Sequence, residues 1–445
     1  MATVDNTLEF IDQASFLGLR ALGHGPLIQF TWIYRNGVDL EALRQFQRNL
    51  GHGLLGRRIE CSPLPFGRHR WIYWPGPADI EVAAGARPAR EITAWTDEQA
   101  ALPVDPECGP SWRLAVQPLT EGGAAVTLLV SHTVADGVGI ALAVADAAKG
   151  ITRHLGYPAA GGRTRSRALR EDSRRFCADL PRMARAVVSA VQLARNTGLD
   201  SPPAAPKSES GSGRELASRS VTMPSVTVRV DLDEWDRRAA ELGGTSTSLA
   251  LGFSARLGRR LGWVSPDGSV TLSVPVNERA EGDTRGNALT VVRLTVDPDT
   301  VCTDLTGLRA GLKQALSTLA QARNDLVAPL PLTPLVPKSL ARRFEGLVGG
   351  TAVIGCSNLG NLDPAVNRPD GSEADDFAVR MAERIPRDHL RRFGGSFFPA
   401  VSGRVHGKFF ISVAFCDADA STTREDLRAT AESALGDFDL NGTIA

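Results

Sequence analysis

Apolar and polar residues alternate in short runs along the whole chain, and their spacing switches between that of strands and that of helices. Residues 26–35 are rich in aromatic and β-branched side chains and predict a strand. Apolar residues then recur at helical spacing over 39–50, which predicts a helix. Two further apolar runs, 112–119 and 124–131, flank a Thr-Glu-Gly-Gly turn and predict an antiparallel hairpin, followed by a helix over 138–148.

The second half of the chain continues this mixed pattern. The spacing predicts strands over 226–230, 270–274, 289–296 and 409–415, and helices over 233–242, 247–261, 305–323 and 424–435. The sequence has no fixed-period repeat of the solenoid kind. We therefore predict an α/β or α+β layered fold.

The length of the chain predicts two domains. A single core stops growing near roughly 250–300 residues, whereas this chain has 445. Residues 201–213 are rich in Pro, Gly and Ser and predict a linker between an N-terminal half, 1–200, and a C-terminal half, 214–445. Just before it, 163–195 carries nine arginines beside apolar residues at helical spacing. This basic amphipathic helix either crosses over between the halves with its arginines in solvent, or contacts a membrane surface or the phosphates of a cofactor or carrier protein.

Charge and composition exclude several classes of protein. Fifty basic and fifty acidic residues give a net charge of zero, which argues against a nucleic-acid-binding protein. The longest apolar runs are too short to span a bilayer, and no targeting peptide is visible, so we expect a cytoplasmic protein with a peripheral contact at the inner membrane face as an open alternative. The six cysteines lack metal-ligand spacing, so we expect mostly buried free thiols and no metal site.

His132 is the candidate catalytic residue, because strand, turn and helix signals converge on it. It ends the apolar run 126–131 and precedes Asp136 and Gly137, so a rigid strand end would hold its ring. An imidazole can take a proton from a hydroxyl or an amine during acyl transfer. Spacing alone leaves a structural histidine as an alternative, and it does not decide whether Asp136 faces the ring. The chain contains no G-x-S-x-G, Walker A or strand-following G-x-G-x-x-G motif, which disfavours hydrolases and dinucleotide enzymes.

The run from Ser131 to Gly137 resembles the H-x-x-x-D-G motif of the superfamily that includes condensation domains, chloramphenicol acetyltransferase and polyketide-associated acyltransferases. The pattern is most similar to bacterial wax ester synthase/diacylglycerol acyltransferases. Further stretches occur in that family's order: 8–17, Gly-Pro-Ser-Trp at 109–112, Val-Pro-Val-Asn-Glu-Arg at 274–279, Gly-Asn at 286–287, and Ser-Asn-Leu-Gly at 357–360.

The resemblance implies two chloramphenicol acetyltransferase-like α/β sandwich domains with a tunnel between them. His132 would act as the general base at their meeting point. Asp136 and Gly137 would be structural, with Arg279 as the partner of Asp136, and Asn287 would lie near the domain crossover. Ser131, Ser357 and Asn358 would shape the acceptor or oxyanion site, although a turn is an equally open role for the Ser-Asn segment.

The implied reaction moves an acyl group from acyl-CoA or an acyl carrier protein to a small-molecule or lipid alcohol. It needs no resident cofactor, only acyl-CoA or a phosphopantetheine-bound acyl group as cosubstrate, and a monomer or dimer is expected. The sequence departs from the wax synthase pattern at Ser131, where a first histidine is usual, and at Thr247-Ser248, where an Asn-Asp pair is usual. Amide formation by a free-standing condensation domain and a non-catalytic lipid-binding or scaffold role therefore stay open.

Overall fold

Two β-sheets organise the chain in a computed structural model that describes residues 5–196, 220–336, 353–392, 396–417 and 422–445. The elements before residue 200 are α1 Phe10–Leu22, β1 Leu27–Tyr34, α2 Leu40–Leu50, β2 Arg57–Glu60, β3 Arg70–Tyr73, β4 Glu81–Val82, α3 Ile92–Ala100, β5 Trp112–Pro118, β6 Ala124–Ser131, α4 Gly137–Ala148 and α5 Arg165–Asn196.

The elements after residue 219 continue the alternation of strands and helices. They are β7 Ser220–Thr222, β8 Ser225–Asp231, α6 Leu232–Glu241, α7 Ser246–Arg260, β9 Val270–Asn277, β10 Leu289–Val296, α8 Thr306–Val327, β11 Val353–Asn361, β12 Asp376–Ala382, β13 Arg384–Pro386, α9 Arg387–Arg392, β14 Ser396–Phe397, β15 Pro399–Val405, β16 Lys408–Ala414, β17 Cys416–Asp417, α10 Arg424–Asp437 and β18 Thr443–Ile444.

The first sheet takes one of its strands from the far end of the chain. Its order is β12-β1-β6-β5-β4, and β12 pairs antiparallel with β1, with Leu27 opposite Ala382. The predicted hairpin forms as β5 and β6, with Trp112 opposite Val130. All eight residues of β6 are buried, as expected for a continuously apolar strand covered on both faces. The strand that carries His132 at its end is thus held in the middle of the sheet.

The second sheet contains seven strands in the order β10-β9-β11-β15-β16-β8-β18. Strand β11 pairs in parallel with both β9 and β15, and the remaining pairs are antiparallel. One hydrophobic cluster fills each half of the molecule, and the cluster of the first half also contains Phe377, Val379, Val401 and Phe410 from the C-terminal part of the chain. The two halves therefore share apolar packing as well as a strand.

Helix starts are fixed by local side-chain acceptors. Asp39 accepts hydrogen bonds from the backbone N–H groups of Glu41 and Ala42 at the start of α2. Thr423 and Asp426 form a capping box at the start of α10. Such caps satisfy N–H groups that have no partner within the helix, which is why these helices begin where they do.

The predicted mixed layering is confirmed, and most of the predicted elements are present with bounds shifted by one to four residues. The proposed linker 201–213 lies outside the described residues, so the boundary between 1–200 and 214–445 stays a prediction. The expectation of mostly buried cysteines is wrong for Cys108 and Cys177, which are exposed, while Cys356 and Cys416 are buried. No helix in the described ranges is long and apolar enough to cross a membrane.

Candidate functional site

His132 lies at the end of β6, where the backbone leaves the first sheet. Its N–H donates to the carbonyl oxygen of Pro26 at 3.1 Å, and Val134 N–H donates to Ser131 O at 2.9 Å. These bonds turn the chain sharply after a rigid strand and fix the backbone that carries the ring. The ring is partly exposed and faces a cavity rather than the core.

The cavity beside His132 has a volume of about 440 Å³ and is lined from both halves of the chain. Ile28, Val379 and Met381 come from the β1–β12 edge of the first sheet. The second half contributes the apolar side chains of Trp263 and Phe398. Polar wall positions include Ser273, Asn277, Ser357 and Asn358. A mostly apolar cavity with a few convergent polar groups is typical of a small-molecule site.

The Asp136 carboxylate lines the cavity and joins the start of α4 to the segment 279–288. Its Oδ1 accepts the N–H of Gly139 at 2.7 Å and so caps α4, while its Oδ2 accepts the N–H of Ala288 and the guanidinium of Arg279, both at 2.8 Å. The Asp136 and Arg279 side chains are 5% and 3% exposed. Arg279 also donates to the carbonyl oxygens of Arg285 and Gly286. The carboxylate therefore ties the His132 loop to the segment 279–288.

Gly137 lies where the second half packs closely against this loop. A Cβ atom at Gly137 would be 2.8 Å from Leu359 Cδ2, and one at Gly139 would be 3.0 Å from an Arg279 guanidinium nitrogen. Both glycines thus allow a close approach of neighbouring side chains, and neither has a positive φ. Leu359 belongs to β11, so the contact brings the Ser357-Asn358 segment to the same cavity.

Asp12 is a buried residue whose role the sequence did not reveal. Its carboxylate accepts the N–H groups of Gly286 and Asn287 at 2.9 and 2.7 Å, and the side-chain amide of Asn287 at 3.2 Å. Burial raises the pKa of Asp12, against the effect of these bonds and of nearby Arg57. Asp12 thus joins α1 to the 279–288 segment, which the Asp136–Arg279 pair also holds. The sequence signal for a role of Asp12 was its position within the 8–17 stretch.

Ser131 does not line the His132 cavity. It is 3% exposed relative to a free residue and borders a second cavity of about 280 Å³ together with Arg20, His24 and Asp105. Adjacent residues point to opposite sides of an extended strand, which explains the separation of Ser131 from His132. Arg20 binds Asp105 through both carboxylate oxygens at 2.7 and 2.6 Å and lowers the pKa of Asp105 to about 2.

The Ser357-Asn358 segment lies on the cavity wall, but the Asn358 side chain is already engaged. Its amide nitrogen donates to Thr247 Oγ1 at 3.1 Å, and its oxygen accepts the N–H of Gly360 at 2.8 Å. Asn358 therefore shapes a turn and links β11 to α7. Ser357, the residue before Asn358, also lines the His132 cavity.

The structure brings His132, Asp136, Gly137, Ser357 and Asn358 together around one cavity, with Arg279 behind it as the partner of Asp136, and places Ser131 outside it. The sequence did not identify Met381, Trp263 or Phe398 as wall residues, because isolated apolar positions carry no chemical signature. No group of three or more His, Cys, Asp or Glu side chains suited to a metal ion occurs within the described ranges.

Comparisons with known proteins match the fold of the chain to solved structures. No protein-family model matches the sequence, and no curated protein matches it significantly. The first condensation domain of the calcium-dependent antibiotic synthetase, in complex with a substrate analogue, superposes with a TM-score of 0.58 at 18% identity, covering 97% of this chain and 96% of that chain. The chain has the condensation-domain fold.

Two other solved structures share the condensation-domain fold with this chain. Polyketide synthase associated protein 5 from Mycobacterium tuberculosis gives a TM-score of 0.54 at 15% identity, covering 97% and 98% of the two chains. The X-domain from teicoplanin biosynthesis gives 0.51 at 16% identity, covering 98% and 94%. The predicted pair of chloramphenicol acetyltransferase-like halves is thereby confirmed as a fold. The closer resemblance to wax ester synthases stays a prediction.

Proposed function

We propose that this protein is an acyltransferase that moves an acyl group from a thioester to a hydroxyl acceptor, forming an ester of a lipid or specialised metabolite. The observation that carries the proposal is the His132 ring on the wall of a mostly apolar cavity built from both halves of the chain. Such a cavity can hold an acyl chain and an acceptor together, which supplies proximity and excludes water.

His132 acts as the general base in this proposal. A neutral ring nitrogen takes the hydroxyl proton as the acceptor oxygen attacks the thioester carbonyl carbon. A C–O bond forms, the carbonyl oxygen becomes an oxyanion, and the C–S bond then breaks as the carbonyl re-forms. The protonated His132 returns its proton to the departing thiolate. The proposed reaction passes through no acyl-enzyme, and it uses neither a resident cofactor nor a metal.

The other predicted site residues support this reaction by position. The Asp136–Arg279 pair and Asp12 hold the loop that carries His132 against the segment 279–288. Ser357, which also lines the cavity, is the candidate hydrogen-bond donor to the oxyanion. Asn358 acts indirectly, because its side chain is bound to Thr247 and Gly360.

A hydroxyl is the acceptor in this proposal. The carboxylate on the wall, Asp136, is already bound to Arg279, Gly139 and Ala288, so it does not supply a counter-charge for an ammonium group. A neutral hydroxyl needs no such partner. The donor in this proposal is acyl-CoA or an acyl carrier protein, and the enzyme works as a monomer or dimer in the cytoplasm.

Amide formation on a carrier-bound amine is the second candidate. The similarity in fold to the condensation domain of an antibiotic synthetase favours it, since the same histidine could deprotonate an amine. A non-catalytic lipid-binding or scaffold role is the third candidate, in which the His132 ring would have no catalytic role.

One experiment separates the three functions. The purified protein is incubated with acyl-CoAs of graded length and with acylated carrier protein, each combined with a panel of alcohols or amines. Thiol release is followed, and products are identified by mass spectrometry. Ester products support the proposal, amide products alone would replace it with the second candidate, and no acceptor-dependent thiol release with any pair would refute enzymatic acyl transfer.

A further inference from the structure

The outward face of α5 exposes a row of aliphatic side chains. Leu169, Leu180 and Val187 are 38%, 47% and 49% exposed, and the adjacent Val188 is 58% exposed. The first three are separated by whole numbers of helical turns, so they form one row along the helix. From Leu169 to Val187 this row extends over about 27 Å at roughly 1.5 Å per residue, and Val188 lies about 100° around the helix from it. About three turns separate Leu169 from Leu180, but exposed aliphatic side chains aligned on one helix still differ from the scattered single exposures that are normal on a soluble surface.

Arginines occupy the adjoining part of the exposed helix surface. Arg170, Arg174 and Arg185 are exposed and lie about 100–160° around the helix from the aliphatic row. No acidic side chain within the described ranges forms an ion pair with any of these three. Arginine stays charged at all physiological pH values, so the face carries a permanent positive charge although the whole chain has a net charge of zero.

Two of the three acidic residues of α5 face the body of the protein, whereas the third, Glu171, is 40% exposed and pairs with Arg167 at 2.7 Å and with Arg163 at 3.3 Å. Asp172 binds Arg163 at 2.5 Å and the hydroxyl of Ser62 at 2.6 Å, and Asp179 pairs with Arg68 at 3.3 Å. Both aspartates are buried against the body of the protein. The carboxylates therefore anchor the helix, and the three outward arginines have no part in that anchoring.

Neighbouring segments extend the apolar surface beyond the helix. The Phe66 ring contacts the Phe176 ring of α5 at a centroid distance of 4.6 Å, and Phe66 is 36% exposed. Leu335, 47% exposed, lies on a short 3-10 turn, Leu330–Leu335, that packs against α5.

We propose that the outward face of α5 binds an anionic lipid surface, with the helix lying in the plane of the interface. Aliphatic side chains would enter the boundary between headgroups and acyl chains, and the arginines would contact phosphate groups. Charge complementarity favours an anionic bilayer, because three outward arginines adjoin exposed aliphatic side chains along one helix, an arrangement typical of helices that lie at a lipid interface. The inference does not depend on the reaction at His132.

Vesicle co-sedimentation of the full chain tests this proposal. One set of vesicles contains equal parts of phosphatidylcholine and phosphatidylglycerol, and the other contains phosphatidylcholine alone. We expect binding to the anionic vesicles that is far tighter than binding to the neutral ones. The triple variant Arg170→Gln, Arg174→Gln, Arg185→Gln should bind the anionic vesicles roughly 100-fold more weakly, at about fivefold per arginine.

A matched control removes the same charge elsewhere. The variant Arg237→Gln, Arg259→Gln, Arg428→Gln alters exposed arginines of α6, α7 and α10, and it should bind like the wild type. Thermal melting of every variant establishes that it is folded. These substitutions lie on exposed helix faces, where changes are usually small in their effect on stability.

A second variant tests the aliphatic row and separates lipid from protein. Leu180→Ser, Val187→Ser, Val188→Ser should weaken vesicle binding by roughly tenfold or more, since its apolar surface no longer enters the bilayer. Soluble polyglutamate serves as the protein-like polyanion. Equal vesicle binding by the wild type and the arginine variant overturns the proposal. Full vesicle binding by the serine variant, together with equally tight binding to polyglutamate, also overturns it and assigns the face to an acidic protein partner.

Discussion

Replacing Asp136 by asparagine tests whether this carboxylate is structural or catalytic. In the native protein its two oxygens accept from Gly139, Ala288 and Arg279 at 2.7 to 2.8 Å, and its side chain is 5% exposed. An asparagine of the same shape has one oxygen and one N–H₂ group. In either orientation the amide nitrogen faces a donor, and the ionic partner of Arg279 is lost.

The size of the effect follows from the burial of the pair. Removing one partner of a buried ion pair costs about 3–5 kcal/mol. Arg279 keeps the carbonyl oxygens of Arg285 and Gly286, at 2.9 and 3.0 Å, as acceptors. We therefore expect the lower end, a loss of about 3 kcal/mol in the free energy of unfolding. Turnover should fall mainly in proportion to the folded fraction.

Urea unfolding followed by tryptophan fluorescence measures this loss, and Asp363→Asn is the matched control. Asp363 pairs with Lys149 across the two parts of the chain, and both side chains are more than a third exposed. Its capping bond to Ala365 is kept by asparagine, so the control isolates a surface ion pair and should cost less than about 1 kcal/mol. An unchanged unfolding midpoint for Asp136→Asn with a large loss of turnover would refute the structural assignment.

Three further predictions concern other positions. Burial lowers the pKa of His69 from 6.5 to about 4. The contribution of the neutral ring to the free energy of unfolding should therefore be fully present above pH 6.5 and fall by about 3 kcal/mol as the pH drops from 6.5 to 4. Urea titrations at stepped pH should show that His69→Gln flattens this dependence. Gly286→Ala should lower the free energy of unfolding by about 1–3 kcal/mol, because its Cβ would lie 2.9 Å from an Asp12 oxygen; an unchanged urea midpoint would contradict this packing. Met381→Trp should narrow the His132 cavity and shift thiol release toward shorter acyl-CoAs, whereas an unchanged chain-length profile would place the acyl chain elsewhere.

Local patterns predicted the elements whose signals lie close together in the sequence. The β5–β6 hairpin formed as expected because two apolar runs flank a glycine turn, and the start of α4 follows from Asp136 as its cap. The pairing of β12 with β1 was not predictable in this way. Leu27 and Ala382 are far apart in sequence, and a short apolar run carries no information about which distant strand it joins.

In the candidate site, too, residues that are close in sequence were predictable and residues that only the fold brings together were not. His132, Asp136 and Gly137 are contiguous in a motif, whereas Asp12 acts through backbone N–H groups that no side-chain pattern records. The resemblance assigned Ser131 to the acceptor site, at the position where a first histidine is usual. Strand alternation turns its side chain to a different cavity.

The most direct test of the central claim is the rate of acceptor-dependent thiol release by His132→Ala, measured on the acyl donor and acceptor pair that gives the fastest wild-type turnover. His154→Ala, which removes an exposed histidine, is the control and should retain wild-type activity. Loss of a general base should lower the rate by about 10²–10⁴ with an unchanged urea midpoint. A His132→Ala protein that releases thiol at the wild-type rate would show that the reaction does not depend on this imidazole.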